Sequence, residues 1–248
     1  MNAYKLIEAL QHRKIPVACQ AINDFIKVLA KRKDLGALRP LLRHDDPDVV
    51  EIGVGIADEL ADDRCGRSIL DDVAALIGHP EVRVRMHAIS ILARLVTPQD
   101  HPLLESLLSC LRDDDVWQWT LSRVFTMHPL LFAEMRESRN WPAIQLLMAE
   151  TEKEKLKSVM QSRDAFTRRL AAAGAVLNHE GDGAFIREIL AVLDKDLREI
   201  VEQWHTSREA LDARREALYD RFEMRIRPQF HPRSRRQQRE SANGDFSY

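Results

Sequence analysis

The sequence is poor in the residues that build β-structure. Only 6% of its 248 residues are aromatic, and it has 9 glycines and 10 prolines. Strands favour aromatic and β-branched side chains, and runs of these are few here. Leu, Ala, Arg, Glu and Asp dominate instead. We therefore predict an all-α protein, whose length suits one large domain, two small ones or a single array of repeated units.

Cysteine is also scarce. Cys19, Cys65 and Cys110 are an odd number, lie far apart and form no C-x-x-C motif. This pattern excludes a disulfide framework and a cysteine zinc site, and it favours a reducing compartment. Each cysteine falls in or beside an apolar helical phrase, so we expect buried structural thiols rather than nucleophiles.

Long apolar runs are missing. The start, MNAYKLIEALQHRK, turns polar within a few residues and lacks a signal-peptide core. No stretch approaches the roughly 20 apolar residues that span a bilayer. The sequence predicts a soluble, cytoplasmic protein with no membrane partner.

The common catalytic motifs are absent as well. The sequence contains no G-x-x-x-x-G-K-[ST], no G-x-S-x-G and no H-E-x-x-H. Gly181-Asp182-Gly183 is a lone turn rather than a phosphate-binding loop. We expect no enzymatic activity, no catalytic residue, no cofactor and no metal.

The sequence does contain a helical phrase that recurs about every 34 residues. Its copies lie at 45–61, 79–95 and 113–127. At this spacing Val50 aligns with Val84 and Val54 with Ala88. A unit with such a period cannot bury its apolar face alone, so neighbouring copies are expected to stack into a solenoid.

Apolar residues follow helical spacing almost throughout, with breaks where paired helices should turn. Corners such as Asp45-Asp46-Pro47-Asp48 and His79-Pro80 precede the second helix of a pair, and acidic residues there can cap it. Helices are predicted at 4–11, 17–30, 35–42, 48–61, 67–77, 81–95, 103–112, 116–127 and 185–193. The segment 128–161 is irregular, because the next copy begins 50 residues after Val116 instead of 34.

Two segments resemble the second helix of a HEAT repeat, in which an arginine follows the first apolar residue and a small residue allows close packing. They are Val84-Arg85-x-x-Ala88-x-x-Ile91-Leu92 and Thr167-Arg168-x-x-Ala171-x-x-Gly174. In two other copies the arginine position is Glu51 and Trp119. The resemblance covers roughly residues 15–195 and implies a right-handed α-solenoid of about five HEAT-like helix pairs.

The C-terminal part departs from this pattern. Residues 196–227 read as one long charged helix with an apolar stripe that includes Ile200 and Trp204, which caps or extends the solenoid of residues 1–195. The tail, 228–248, is polar and expected to be disordered. Residues 221–239 hold seven arginines against Glu223 alone. The tail is a solubilising end, a contact for nucleic-acid phosphates or a segment that folds back on the acidic residues, and its lack of interleaved aromatics disfavours nucleic acid.

Residues 44–81 are strongly acidic, with eleven Asp or Glu against Arg64 and Arg67 only. Such a surface repels phosphate and attracts basic protein surfaces. Glu51, Asp58 and Asp62 share one helical face at spacings of seven and four. At a fixed 34-residue spacing Glu51, Arg85 and Trp119 should form a ladder, with Trp119 either an aromatic anchor or a filler of the irregular repeat. The predicted partner-binding residues are Glu51, Asp58, Asp62, Arg85, Asp115 and Trp119.

We therefore expect a non-catalytic module that binds a basic partner protein. Small bacterial solenoids of this kind resemble immunity proteins that neutralise a toxin, and a secretion or regulatory adaptor is the alternative. A HEAT-like DNA-repair glycosylase is a third possibility, although the best-formed repeats are acidic where phosphate should lie. His179-Glu180 resembles the iron-binding pairs of HEAT-type deoxyhypusine hydroxylases, but no other repeat offers such a pair, and His179 suits a helix C-terminus.

Overall fold

The computed structural model describes residues 1–11, 15–32, 34–61, 65–127, 142–148, 153–179 and 182–207. Every regular element within these ranges is a helix, and none of them contains a strand. The prediction of an all-α protein is thus confirmed for this part of the chain. Across the same ranges, no helix combines the length and apolar character needed to cross a membrane.

In chain order the helices are α1 (Ala3–Gln11), α2 (Ile15–Arg32), α3 (Arg39–Leu42), α4 (Pro47–Leu60), α5 (Leu70–Ala75), α6 (Val82–Leu95), α7 (His101–Ser109), α8 (Trp117–Phe125), α9 (Pro142–Met148), α10 (Lys153–Met160), α11 (Ala165–Asn178), α12 (Gly183–Val192) and α13 (195–207). Single 3-10 turns occur at Leu35–Leu38, Gly66–Ile69, Leu76–Gly78 and Cys110–Arg112. The helices predicted up to residue 127 are confirmed, with bounds that differ by a few residues.

Acidic corners cap several helices, as predicted. The Asp46 side chain accepts a hydrogen bond from Asp48 N at 3.0 Å, directly before Pro47 begins α4. Asp164 accepts from Thr167 N at 2.9 Å, and Asp182 accepts from Phe185 N at 3.0 Å. Each cap satisfies an N–H group that the helix leaves without a partner.

The second helices of successive pairs pack against one another in series. Helix α4 packs on α6, α6 on α8 and α8 on α11, while α3 contacts α5, and α7 contacts α9. Helix α11 is therefore the next neighbour of α8, although 128–164 intervenes in the sequence. The irregular repeat accommodates this insertion in part with two short helices, α9 and α10, which both pack on α11. Glu105 of α7 accepts hydrogen bonds from Ala143 N and Ile144 N and so fixes the start of α9.

Ion pairs link neighbouring first helices at a constant spacing of 33 residues. Arg39 Nε lies 3.0 Å from Asp72 Oδ2, and Arg67 forms a two-pronged pair with Asp100. Arg43 adds a second cation to the buried carboxylate of Asp72. These pairs hold adjacent units in register.

Burial shows how the repeated helices align, and it corrects the fixed spacing of 34. Buried residues of α6 lie 35 positions after those of α4, and buried residues of α8 lie 32 positions after those of α6. The matching sets are Val49, Val50, Gly53 and Val54; Val84, Arg85, Ala88 and Ile89; and Val116, Trp117, Thr120 and Leu121. Arg85 therefore corresponds to Val50 and Trp117. The predicted ladder of Glu51, Arg85 and Trp119 was wrong, because one residue of shift moves a side chain about 100° around a helix.

Helix α11 differs from the other second helices because every residue from Leu170 to Leu177 is buried. Its small side chains allow neighbours to approach closely. A Cβ atom on Gly174 would lie only 2.6 Å from the backbone oxygen of Leu147 in α9. That oxygen also accepts a hydrogen bond from Asn178 Nδ2 at 3.2 Å.

The chain divides into two compact units, Met1–Val201 and Glu202–Tyr248. Leu197 and Val201 are the buried apolar residues of α13 in the first unit, whereas Ile200 is only half-buried. Leu197, Ile200 and Val201 follow helical spacing of three and four, as the predicted apolar stripe requires. Of the second unit, the structure describes 202–207, which are helical and include a half-buried Trp204. The remainder of the predicted long helix and the arginine-rich tail lie outside the described residues.

Candidate protein-binding face

Helices α4, α6 and α8 each turn a polar side outward, and together these sides form one continuous surface, here called the second-helix face. Side chains on this face contact the neighbouring helix, and these contacts define which residues belong to it. The contributing residues are Glu51, Asp58 and Glu59 of α4; Arg83, Met86, His87, Ser90 and Arg94 of α6; and Trp119 and Arg123 of α8. This surface includes three of the six predicted partner-binding residues: Glu51, Asp58 and Trp119.

An open groove of about 970 Å³ lies on this face and is lined by the C-terminal turns of α4, α6 and α8. Charged side chains of both signs line it, together with Thr126 and Met127 at one end. A groove of this volume lies at the upper end of the range for small-molecule sites, but its mixed charge and open shape suit a segment of another protein.

Asp58 is the most strongly held acidic residue of the groove. Its carboxylate accepts a hydrogen bond from Arg94 Nη2 at 2.6 Å and lies 2.9 Å from His87 Nδ1. Burial raises the pKa of Asp58, but the hydrogen bonds from His87 and Arg94 outweigh it, so the pKa lies below its ordinary value. Asp58 is therefore ionised at neutral pH, and α6 already supplies its countercharge.

Glu51 is paired much more loosely. Its carboxylate lies 3.4 Å from Arg83 Nη1, and the Arg83 side chain is 80% exposed. An exposed pair of this kind stabilises a fold by well under 1 kcal/mol. Glu51 can therefore exchange its intramolecular partner for a cation of another protein at little cost.

Trp119 packs back onto α6. Its Nε1 donates to Met86 O at 2.9 Å and to Ser90 Oγ at 3.1 Å, and the guanidinium of Arg123 lies 4.2 Å from its ring centroid. Trp117 points the other way and packs under Arg169 of α11, also at 4.2 Å. The two tryptophans therefore lie on different sides of α8, and Trp119 packs beneath the groove.

Arg85 and Asp115 lie elsewhere, at the corners where α6 and α8 begin. The Arg85 side chain is 10% exposed; its Nη1 donates to His79 O and Pro80 O, both at 2.9 Å, and its Nη2 donates to Asp115 at 2.9 Å. Its Nε lies 3.1 Å from an Asp113 oxygen, an ion-pair distance without hydrogen-bond geometry. Arg85 thus joins its own corner to the next one, and we assign this pair a structural role.

The second HEAT-like arginine makes the same contacts. Arg168 Nη1 donates to Ser162 O and Arg163 O, and its Nε lies 3.3 Å from Asp194 of the following corner. In both helices the motif therefore stabilises the array rather than presenting a side chain to a ligand.

Asp62, the remaining predicted residue, lies outside the described residues. Sequence reasoning also overlooked three residues of the groove, namely His87, Arg94 and Arg123. A signal for two of them was present: His87 and Arg94 lie 29 and 36 residues after Asp58, close to the repeat period. The count of acidic residues covered only 44–81, which is about one repeat. It therefore left out the cations that the next repeat supplies.

The described residues contain no group of three or more His, Cys, Asp or Glu that could hold a metal ion. Burial raises the pKa of the Cys110 thiol to about 11, which makes it a poor nucleophile. Cys65 is buried as well, but Cys19 is exposed, so the prediction of three buried thiols was wrong for Cys19.

The pair of His87 and Asp58 resembles the base and orienting carboxylate of a hydrolytic site, but the nearby hydroxyl is engaged elsewhere. Ser90 Oγ donates to Met86 O at 3.0 Å and accepts from Trp119. His179 directly follows α11 as its C-terminal cap, as predicted, and its ring contacts Phe185 edge-on at 4.7 Å. Glu180, its proposed metal-binding neighbour, lies outside the described residues.

No protein-family model matches the chain, and no curated protein matches it. Among solved structures it is similar to an engineered protein from the Northeast Structural Genomics Consortium, at 14% identity and a TM-score of 0.44, over 85% of this chain and 98% of the other. A second engineered protein from the same consortium is similar at 18% identity and a TM-score of 0.42, over 83% of this chain and 98% of the other.

Proposed function

We propose that the chain is a non-catalytic protein-binding module, a right-handed α-solenoid of about five HEAT-like helix pairs. It engages a partner protein with a basic surface through the second-helix face. The serial packing of α4, α6, α8 and α11 supports the solenoid arrangement. Corner contacts of Arg85 and Arg168 support it too, because they link successive units in the same way.

The observation that carries the binding function is the groove across three successive helices. Concave surfaces built by stacked repeats commonly serve as binding sites. The α4 side of this groove presents Glu59, exposed and without a cation within ion-pair distance among the described residues, and the loosely paired Glu51 lies on the same helix. Both carboxylates are available to a basic partner.

A toxin-neutralising immunity protein is the specific role that we propose for such a module. The carboxylates of Glu51 and Glu59 would occupy a basic site of the toxin that otherwise binds phosphate. Neutralising the toxin in this way requires no catalytic step by the chain. A secretion or regulatory adaptor would use the same face in the same way.

The test uses the full chain as bait to isolate a stoichiometric protein partner, followed by affinity measurements with the purified pair. Glu51→Lys combined with Glu59→Lys should weaken binding about tenfold or more, because each reversal places like charges together. Asp58 is left unchanged, since its contacts with Arg94 and His87 support the fold. Asp71→Lys, at an exposed site on α5, is the matched control and should leave affinity within about twofold.

Two results would overturn the proposal. Unchanged affinity in the double variant, with the thermal unfolding midpoint preserved, would remove the second-helix face from binding. Recovery of nuclease-sensitive nucleic acid in place of a protein would replace the protein-binding function with a nucleic-acid one.

A further inference from the structure

The α8 edge of the groove carries a cation that the fold does not neutralise. Arg123 lines the groove, and within the described ranges no carboxylate lies within ion-pair distance of it. Its Nε is buried without a hydrogen-bond partner. By contrast, Arg94 in the same groove is already bound to Asp58. Arg123 is therefore the groove cation that can take an anion from outside.

Trp119 holds this guanidinium in place. Two hydrogen bonds to α6 fix the indole, and the guanidinium of Arg123 stacks 4.2 Å from its ring centroid. Stacking leaves the edge of a planar guanidinium open for hydrogen bonds to a carboxylate. Because the side chain is already ordered, less conformational entropy is lost when a ligand binds.

The opposite edge of the groove has the opposite charge. Glu59 of α4 is exposed there, while Asp58, His87 and Arg94 pair with one another between the two edges. Across the groove from α4 to α8, the charge therefore changes from negative at Glu59 to positive at Arg123. The paired side chains between these two edges are neutralised by one another.

We propose that the groove receives a segment of the partner protein that places one carboxylate on Arg123 and a lysine or arginine near Glu59. This inference rests on the proposed function and specifies the chemistry of the bound segment. Neighbouring packed helices lie about 8–10 Å apart, so α4 and α8 on either side of α6 are about 16–20 Å apart. An extended chain covers this distance in about five or six residues, which sets the separation of the two charges in the ligand.

A protein segment fits this groove better than a nucleic acid does. Nucleic-acid binding draws on several cation–phosphate contacts, and each phosphate carries a charge. Among the described residues that line the groove, Arg123 is the one cation without a carboxylate partner, and the exposed Glu59 repels a chain of phosphates. One carboxylate beside a basic residue meets both edges favourably.

The test selects displayed random 12-residue peptides on the full chain and measures synthetic versions of the enriched ones by fluorescence anisotropy. We expect enriched peptides to contain an acidic residue five or six positions from a basic one. Arg123→Gln should weaken their binding about tenfold or more, as loss of a charged hydrogen bond worth about 1.5–3 kcal/mol implies. Arg187→Gln, at an exposed site on α12 and outside the second-helix face, is the control and should change affinity less than about twofold.

Changes on the peptide make the result independent of protein folding. Replacing the peptide carboxylate with its amide should weaken binding to the wild-type chain as much as Arg123→Gln does, and should have no further effect on that variant. If Arg123→Gln lowers the thermal unfolding midpoint, Arg123→Lys and the amide peptide provide the comparison instead.

The remaining outcomes separate this inference from the proposed function. Peptides that lose affinity with Glu59→Gln but bind Arg123→Gln as tightly as wild type would overturn the carboxylate site and leave the protein-binding face intact. Selection of no peptide that binds in the groove would overturn the inference. Binding of a labelled 12-nucleotide single strand that is lost in Arg123→Gln would overturn both in favour of nucleic acid.

Discussion

Helices α6 and α11 begin alike but are packed differently. Each has an arginine at its start, Arg85 or Arg168, that donates to two carbonyls of the preceding corner and pairs with an aspartate of the next one. Beyond this shared start, α6 leaves Arg83 and Arg94 exposed, whereas every residue of α11 from 170 to 177 is buried.

Side-chain size explains the difference. Helix α6 places large apolar residues on one side only, so its polar side remains at the surface. Helix α11 has alanine or glycine at 171–175, and these allow α8, α9, α10 and α12 all to pack against it. The arginine motif therefore marks a place in the array, while the residues after it decide whether the helix has a free side. For this reason the binding face that we propose lies on α4, α6 and α8 and not on α11.

The largest expected effect tests the close packing of α11. In Gly174→Ala the new Cβ would lie 2.6 Å from Leu147 O, a backbone atom that cannot move alone. We expect a loss of about 2–3 kcal/mol in the free energy of unfolding, measured with urea. Gly55→Ala on α4 is the matched control, because nothing lies within 4 Å of its added Cβ. It should stabilise the protein by about 0.5–1 kcal/mol through helix propensity. If Gly174→Ala and Gly55→Ala both stabilise the protein, or both destabilise it, the difference in packing between α11 and α4 is refuted.

The next prediction concerns the arginine at the helix start that α6 and α11 share. Arg85→Met removes four polar contacts at a side chain that is 10% exposed, and we expect a loss of about 2 kcal/mol in the free energy of unfolding. Arg83→Met, two positions earlier and 80% exposed, should change it by less than about 0.5 kcal/mol. Equal losses would show that the corner arginine has no special role.

A pH series tests the ion pairs between neighbouring first helices. The hydrogen bond from Arg67 lowers the pKa of Asp100 to about 2, against the effect of burial. A folded-state pKa below the unfolded value of about 3.9 gives stability that is complete above about pH 4 and is lost as the pH falls toward 2. Asp100→Asn should therefore cost about 1–2 kcal/mol at pH 7 after allowance for solvent screening, and progressively less below pH 4.

The exposed Asp45 provides the control for this series. Asp45→Asn should alter the free energy of unfolding by less than about 0.5 kcal/mol at each pH. A deficit in Asp100→Asn that stays constant between pH 7 and pH 3 would show that the lost stability does not come from the ionised carboxylate.

The sequence specified the helices more completely than it specified the face. Capping aspartates such as Asp46 and Asp164, and apolar spacing, located the helices because both signals are local. The register could not be predicted from a constant period, since the corners differ in length and burial alone distinguishes steps of 35 and 32 residues. The constant period also led to the prediction that Arg85 and Asp115 belong to the binding face. Contacts between units, rather than the period, decide which side of its helix an arginine side chain reaches.

The smallest expected effect concerns Glu51 and Arg83, the loosest of the pairs between second helices. A double-mutant cycle with Glu51→Gln and Arg83→Gln should give a coupling of about 0–0.5 kcal/mol in the free energy of unfolding, decreasing as salt is added. The small value follows from the 3.4 Å separation and the exposed Arg83 side chain. A weak coupling leaves the Glu51 carboxylate free to pair with a partner. A coupling above about 1 kcal/mol would instead make this pair structural, like that of Arg85 and Asp115, and would remove Glu51 from the binding residues of the face.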